Sequence, residues 1–102
     1  MADVSLAGRR EERIAIKMFV HLYSPENHTF EVALTDNISC HGARVVTRTY
    51  WKPDLSISVR TIRGNFYSRG RVVHCERKAG SYAVGVEMYY PEGNWAAISD
   101  QN

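Results

Sequence analysis

Three arginines near the N-terminus are the side chains in this sequence best suited to binding an anion. Arg9, Arg10 and Arg13 directly precede the first segment in which apolar residues alternate. A guanidinium group is a planar fork of donors that matches phosphate oxygens and the O6/N7 edge of guanine, and it also stacks on bases. The alternative is a solvated charge run that Glu11 and Glu12 balance. The arginines alone leave both interpretations open.

A stretch of short polar residues, NISCHG at positions 37–42, follows the second alternating segment. Asp36, Asn37 and Ser39 bring small hydrogen-bonding groups together, and such groups could line a ligand. The alternative is a turn between strands, in which Asn37 and Ser39 bond to the backbone while Gly42 supplies a positive φ or room for a close approach. The turn explains the glycine well, but it explains the cluster of polar groups less well.

The histidines and cysteines do not form a recognisable catalytic or metal-binding motif. They are His21, His28, His41, His74, Cys40 and Cys75. The pairs Cys40-His41 and His74-Cys75 could meet as a four-ligand zinc site, but neighbouring residues in a strand point to opposite faces. Ser39 and His41 could form a nucleophile pair, but the sequence offers no third member. We therefore predict no catalytic residue, no metal and no cofactor, and a protein that is not an enzyme.

Apolar residues at every second position predict six short strands, and these strands must position the polar groups. The predicted strands span residues 14–23, 30–35, 43–48, 55–60, 66–76 and 82–89. Their hairpin-like spacing favours a small all-β antiparallel barrel or sandwich. Gly70 lies inside the fifth strand and predicts a bend or bulge there.

The two ends of the chain lack this alternation. Residues 1–12 are predicted to form a flexible N-terminal arm that carries the arginine motif, and residues 13–102 to form a single domain. The tail, Trp95–Asp100, predicts a short C-terminal helix with Asn94 as its N-cap.

The composition favours one small globular domain over a nucleic-acid-binding or membrane protein. A chain of 102 residues is long enough for one modest core, and its net charge of +2 does not by itself favour a polyanion. The sequence shows no signal peptide and no run of about 20 apolar residues that could span a bilayer. With two cysteines and no C-x-x-C motif, we expect a reducing, cytoplasmic setting.

Two motifs occur in a characteristic order along the chain. An R-x-x-x-R motif at Arg9–Arg13 precedes the first strand, and a [D/N]-x-S-x-x-G motif at Asn37–Gly42 follows the second. The sequences GRVVHC, residues 70–75, and YAVGVEM, residues 82–88, come later. In this order the sequence resembles the PilZ domain, the bacterial receptor module for cyclic di-GMP. The resemblance covers roughly residues 9–90, and it depends on both motifs together because neither is specific alone.

The resemblance implies a six-stranded antiparallel PilZ-type β-barrel whose arginine-bearing arm folds over cyclic di-GMP. The residues it assigns to the ligand are Arg9, Arg10, Arg13, Asn37, Ser39 and Gly42. Arg9 and Arg13 would grip guanine edges and phosphates, and Arg10 matches a second arginine often found in the arm. Asn37 is a permitted variant of aspartate that removes one negative charge. Two weaker assignments are Arg44, as a further phosphate contact, and His74, where some members place an aromatic residue that stacks on a base.

The function implied by the resemblance is that of a bacterial, cytoplasmic receptor that passes the cyclic di-GMP signal to an effector protein or to a change in self-association. Tyr89, Tyr90 and Trp95 are candidates for the effector surface, or alternatively cap the open end of the barrel. The first rival function is a PilZ-like protein-interaction module that binds no nucleotide. The second is a small barrel that binds single-stranded nucleic acid, which the near-neutral charge disfavours. Ligand stoichiometry and oligomeric state stay open.

Overall fold

Six antiparallel strands form a closed barrel in the computed structural model, which describes residues 12–63 and 66–89. The strands are β1 (Phe19–Tyr23), β2 (Phe30–Ser39), β3 (Gly42–Thr47), β4 (Ser56–Thr61), β5 (Tyr67–Lys78) and β6 (Ser81–Met88). Their order around the barrel is β1-β2-β3-β6-β5-β4. The predicted all-β antiparallel barrel is confirmed, and the sandwich alternative is wrong because the sheet closes on itself.

Alternation along each strand places one set of side chains inside this barrel. Val20, Val45, Val59 and Val84 are fully buried at its centre, one from each of four strands. Two large aromatic side chains that lie outside the strands, Trp51 and Phe66, are also buried in this core. Burial of each aliphatic side chain contributes about 1.5–3 kcal/mol to folding.

The alternating segment before β1 is not part of the barrel ladder. The backbone of Ile14 exchanges two hydrogen bonds with Ile38, at 2.8 and 2.9 Å. The Thr35 hydroxyl donates to the Ile16 carbonyl at 2.7 Å and accepts from the Met18 amide at 2.9 Å. Ile14, Ile16 and Met18 pack half-buried against the core. The first strand predicted from residue 14 is therefore wrong in its early part, where alternation reflects one-sided packing against β2.

The predicted turn at residues 37–42 is also shorter than expected. The strand β2 continues through Ser39 and β3 begins at Gly42, so that only Cys40 and His41 form the connection. A β-bulge interrupts the pairing of β2 with β3 between Thr35 and Asn37. Asn37 and Ser39 are thus strand residues, and their side-chain direction is set by the ladder rather than by a loop.

The bulge in β5 lies a few residues after Gly70, the position at which the sequence predicted it. The register of β5 against β6 shifts between Val72 and His74. Gly70 has a different role, because a Cβ atom there would lie 1.9 Å from the Glu87 carbonyl oxygen. The glycine therefore allows β5 and β6 to approach closely, and the predicted irregularity occurs elsewhere in the strand.

Some predictions fall on parts of the chain that are not described. The C-terminal helix at Trp95–Asp100 and its N-cap Asn94 lie outside the described residues, as do Tyr90 and most of the predicted arm. Within residues 12–63 and 66–89, no helix long and apolar enough to cross a membrane is present.

Candidate functional site

Four neighbouring strands present the predicted binding residues on one outer face of the barrel. Cross-strand pairing joins β2 to β3, β3 to β6 and β6 to β5, and residues paired in this way lie on the same face of a sheet. The first row across the four strands contains Asn37, Arg44, Gly85 and His74. The second row contains Ser39, Gly42, Glu87 and Arg71. Five of the eight sequence-predicted site residues therefore share one surface.

Arg13 joins this surface from the segment that precedes β1. Its Nε donates a hydrogen bond to Asn37 Oδ1 at 2.8 Å. The bridge between Ile14 and Ile38 holds the adjacent backbone against β2, which places the arginine over the first row. The second arginine of the R-x-x-x-R motif thus meets the first residue of the [D/N]-x-S-x-x-G motif. Arg9 and Arg10 lie outside the described residues.

An open cleft of about 370 Å³ lies beside this contact. The residues that line it are Arg13, Ser39, His41, Gly42, Arg71, Val73, Val86 and Glu87. Two guanidinium groups, one carboxylate and a serine hydroxyl therefore face a common space. Such a set of donors and acceptors suits a ligand that carries both anionic and neutral hydrogen-bonding groups.

Gly42 leaves its part of the cleft free of a side chain. A Cβ atom there would lie 3.2 Å from the Val86 carbonyl oxygen and 3.4 Å from Ser39 Oγ. Among the described residues, the glycine with a positive φ is Gly80, in the turn between β5 and β6. Of the two roles considered for Gly42, the structure thus shows the close approach and not the positive φ.

Arg71 and Glu87, on the β5–β6 side of the cleft, were missed by sequence reasoning. Arg71 Nε donates to Glu87 Oε1 at 3.1 Å, and its Nη1 donates to Asp54 Oδ1 at 2.7 Å. Exposed ion pairs of this kind contribute about 0–1 kcal/mol to stability, so their value lies mainly in orienting the groups. Both residues lie within the GRVVHC and YAVGVEM sequences, where strand alternation could have indicated that they point outward.

Arg44 lies next to Asn37 rather than in the cleft. Its Nε is 3.7 Å from Asp36 Oδ2, an ion pair that the bulge in β2 permits. That Nε atom is shielded from solvent and has no hydrogen-bond partner among the described residues. Arg44 therefore lies beside Asn37 as one half of an ion pair with Asp36, and it does not line the described cleft.

His74 occupies the opposite end of the first row. The side chain is exposed, and its ring lies against Gly85, where an added Cβ would be 2.5 Å from Nε2. The absence of a side chain at Gly85 thus makes space for the imidazole against β6. A ring in this position offers a stacking surface, although it does not line the cleft itself.

The cysteine and histidine pairs do not assemble a metal site. Cys40 is exposed, Cys75 is half-buried, and both are free thiols. In the described part of the chain, no group of three or more His, Cys, Asp or Glu side chains is close enough to hold a metal ion.

Comparison with known proteins identifies the family to which the chain belongs. A family model described as the PilZ domain matches residues 7–98, which is nearly the whole chain. The match includes both motifs and all six strands. No curated protein matches the sequence.

Proposed function

Because the chain belongs to the PilZ domain family, we propose that it is a bacterial, cytoplasmic receptor for cyclic di-GMP and not an enzyme. The observation that carries the proposal is the 2.8 Å hydrogen bond from Arg13 to Asn37 at the edge of the cleft. It brings together the two motifs that the resemblance assigns to this ligand.

The chemistry of the cleft residues fits the chemistry of the ligand. Cyclic di-GMP carries two phosphate charges and two guanines. The guanidinium of Arg13 can bind a phosphate or the O6/N7 edge of guanine. The Ser39 hydroxyl donates to the Gly42 carbonyl at 3.4 Å, and its oxygen can accept a hydrogen bond from the ligand. Gly42 leaves room for the ligand to approach the backbone.

Arg9 and Arg10 would complete the anion site in the proposed complex. They precede Arg13 by four and three residues, and a fully extended chain of that length spans at most about 14 Å. Both side chains can therefore reach a ligand held in the cleft. Closure of this segment over the ligand would change the surface that the protein presents to an effector. Ligand binding would favour the closed state because a ligand shifts an equilibrium toward the state that it binds more tightly.

Isothermal titration calorimetry with cyclic di-GMP, with GMP and cyclic AMP as controls, tests the proposal. We expect saturable binding of cyclic di-GMP and none of the controls. The stoichiometry would distinguish one bound molecule from a pair. A folded protein that gives no heat with cyclic di-GMP, and shows no competition at high ligand concentration, would contradict the receptor function.

A second candidate function is a protein-interaction module that binds no nucleotide. It is favoured by exposed apolar side chains on the outer face of β1 and β2, where Phe19 is 58% and Phe30 57% exposed. His21 contacts the Phe30 ring edge-to-face at 5.3 Å, which extends this surface. Analytical ultracentrifugation of the wild type and of Phe19→Ser tests this candidate through self-association. Sedimentation that is independent of concentration and identical in both proteins would argue against a self-associating module.

A further inference from the structure

The carboxylate of Glu87 is held in the cleft by a defined set of contacts. Glu87 pairs directly with Gly42 across β3 and β6, so no side chain on β3 covers it at that position. Arg71 Nε donates to its Oε1 at 3.1 Å. Arg71 is in turn held by Asp54 at 2.7 Å. A half-exposed carboxylate is thus oriented toward the same space as Arg13 and Ser39.

The balance of charge on this side of the cleft does not suit a phosphate. Asp54 and Glu87 contribute two negative charges around the single positive charge of Arg71. A phosphate placed here would face a net negative group, whereas Arg13, at the other side of the cleft, donates to the neutral amide of Asn37. The Glu87 side therefore suits a part of the ligand that is neutral and donates hydrogen bonds.

From these contacts we infer that Glu87 determines base specificity by accepting hydrogen bonds from the N1–H and N2–H groups of a guanine. This inference rests on the proposed function and adds to it the position of one base. Guanine presents two adjacent donors on its Watson–Crick edge, which match the two oxygens of a carboxylate. Adenine presents an acceptor at N1, which a carboxylate repels. The carboxylate of Glu87 thus favours the binding of guanine and disfavours the binding of adenine.

The arrangement also assigns complementary edges of the ligand to the two sides of the cleft. Arginine donors at the Arg13 side suit phosphates and the O6/N7 edge, and the Glu87 acceptor suits the N1–H and N2–H donors of the Watson–Crick edge. The fixing of Glu87 by Arg71 lowers the entropy lost when the base binds, because the carboxylate is already oriented.

Glu87→Gln and Asp54→Asn form a matched pair for testing the inference. Each removes one negative charge beside Arg71, but Glu87 lines the cleft while Asp54 is a highly exposed residue outside it. On charge alone, both variants should bind a dianionic ligand slightly more tightly than the wild type. Loss of the base contact in Glu87→Gln should instead weaken binding, because the glutamine amide replaces one acceptor oxygen with a donor.

The measurement is titration calorimetry of the wild type and both variants with cyclic di-GMP and cyclic di-AMP, with thermal melts to confirm folding. We expect Glu87→Gln to weaken cyclic di-GMP binding roughly tenfold or more, the discrimination typical of a bidentate base contact. Its preference for guanine over adenine should fall by a similar factor, while Asp54→Asn keeps the wild-type preference and binds cyclic di-GMP equally or slightly more tightly.

Two other results would overturn the inference in distinguishable ways. If the wild type binds cyclic di-GMP and Glu87→Gln binds it equally or more tightly with unchanged base preference, Glu87 acts only through its charge and the proposed function stands. If the folded wild type binds no cyclic di-GMP, the proposed function and the inference both fail.

Discussion

Arg13 Nε donates a 2.8 Å hydrogen bond to Asn37 Oδ1, and this contact joins residues 24 positions apart in the sequence. The neutral amide of Asn37 accepts from the guanidinium through one oxygen, which leaves the other donors of the arginine for a ligand. An aspartate would bind Arg13 more strongly and would add a negative charge beside a dianion. The asparagine thus orients the arginine without neutralising it.

Replacement of Arg13 should remove most nucleotide binding and leave the fold intact. Arg13→Ala deletes a forked donor from an exposed side chain, so we expect cyclic di-GMP affinity to fall at least about tenfold with little change in melting temperature. Arg9→Ala should have a similar effect. Arg60→Ala is the control, because Arg60 lies on β4 against Tyr67 and does not line the cleft. Wild-type affinity in both motif variants would refute the site assignment.

Arg13 and Asn37 should act on the ligand as a unit. We expect Asn37→Ala to weaken binding less than Arg13→Ala does, because the arginine is kept but is no longer oriented. In the double variant the loss should be smaller than the sum of the single losses, since removal of Arg13 makes Asn37 redundant. A double-mutant cycle measured by calorimetry checks this, and strict additivity would show that the hydrogen bond plays no part in binding.

A bulky residue at Gly42 should damage both stability and binding. A Cβ there already lies 3.2 Å from the Val86 carbonyl oxygen, so Gly42→Val should cost about 1–3 kcal/mol of unfolding free energy and fill the floor of the cleft. Gly80→Val is the matched control. It forces a β-branched residue to a φ of 86° in open space, which should destabilise the fold without touching the cleft. Chemical denaturation measures the loss of stability, and calorimetry below the melting temperature measures the loss of binding. Wild-type affinity in Gly42→Val would show that Gly42 is not part of the binding site.

Glu31 should stabilise the barrel independently of the ligand. This buried carboxylate accepts from Trp51 Nε1 at 3.0 Å and also from the backbone amide of Arg48. Glu31→Ala leaves both donors without that acceptor, so we expect a loss of roughly 2–5 kcal/mol of unfolding free energy and a change in tryptophan fluorescence. Glu31→Gln keeps one acceptor oxygen and should lose less. Equal stability of the alanine variant and the wild type in denaturant titrations would contradict this role.

Strand alternation predicted an all-β antiparallel barrel or sandwich, because the strands of both have one face inside and one outside, and the family resemblance favoured the barrel. The same rule wrongly predicted a strand at Ile14–Met18. Alternate side chains of this segment pack against the core, but its backbone makes only a few hydrogen bonds to β2 and is not a strand of the barrel. The register between β2 and β3, with its bulge before Asn37, depends on cross-strand contacts that a single sequence does not reveal.

Local sequence motifs indicated only some of the residues around the cleft, because the others come together through strand pairing. Arg13, Asn37, Ser39 and Gly42 were assigned through motifs that are local in sequence. Glu87 and Arg71 form their ion pair across β5 and β6, and Glu87 reaches Gly42 across β3 and β6. Contacts of this kind follow from strand order, in which β3 pairs with β2 on one side and with β6, rather than β4, on the other.

Closure of the sheet also restricts how a partner protein could bind to this domain. Each described strand has a hydrogen-bonded neighbour on both sides, but the pairing of β5 with β4 ends at Arg71, so the later part of β5 pairs with β6 alone. A partner that adds a strand to the sheet could use that part of β5, whereas other partners would bind to side chains on the barrel surface. Closure along the rest of the sheet leaves little template for edge-to-edge aggregation of a second copy of the chain.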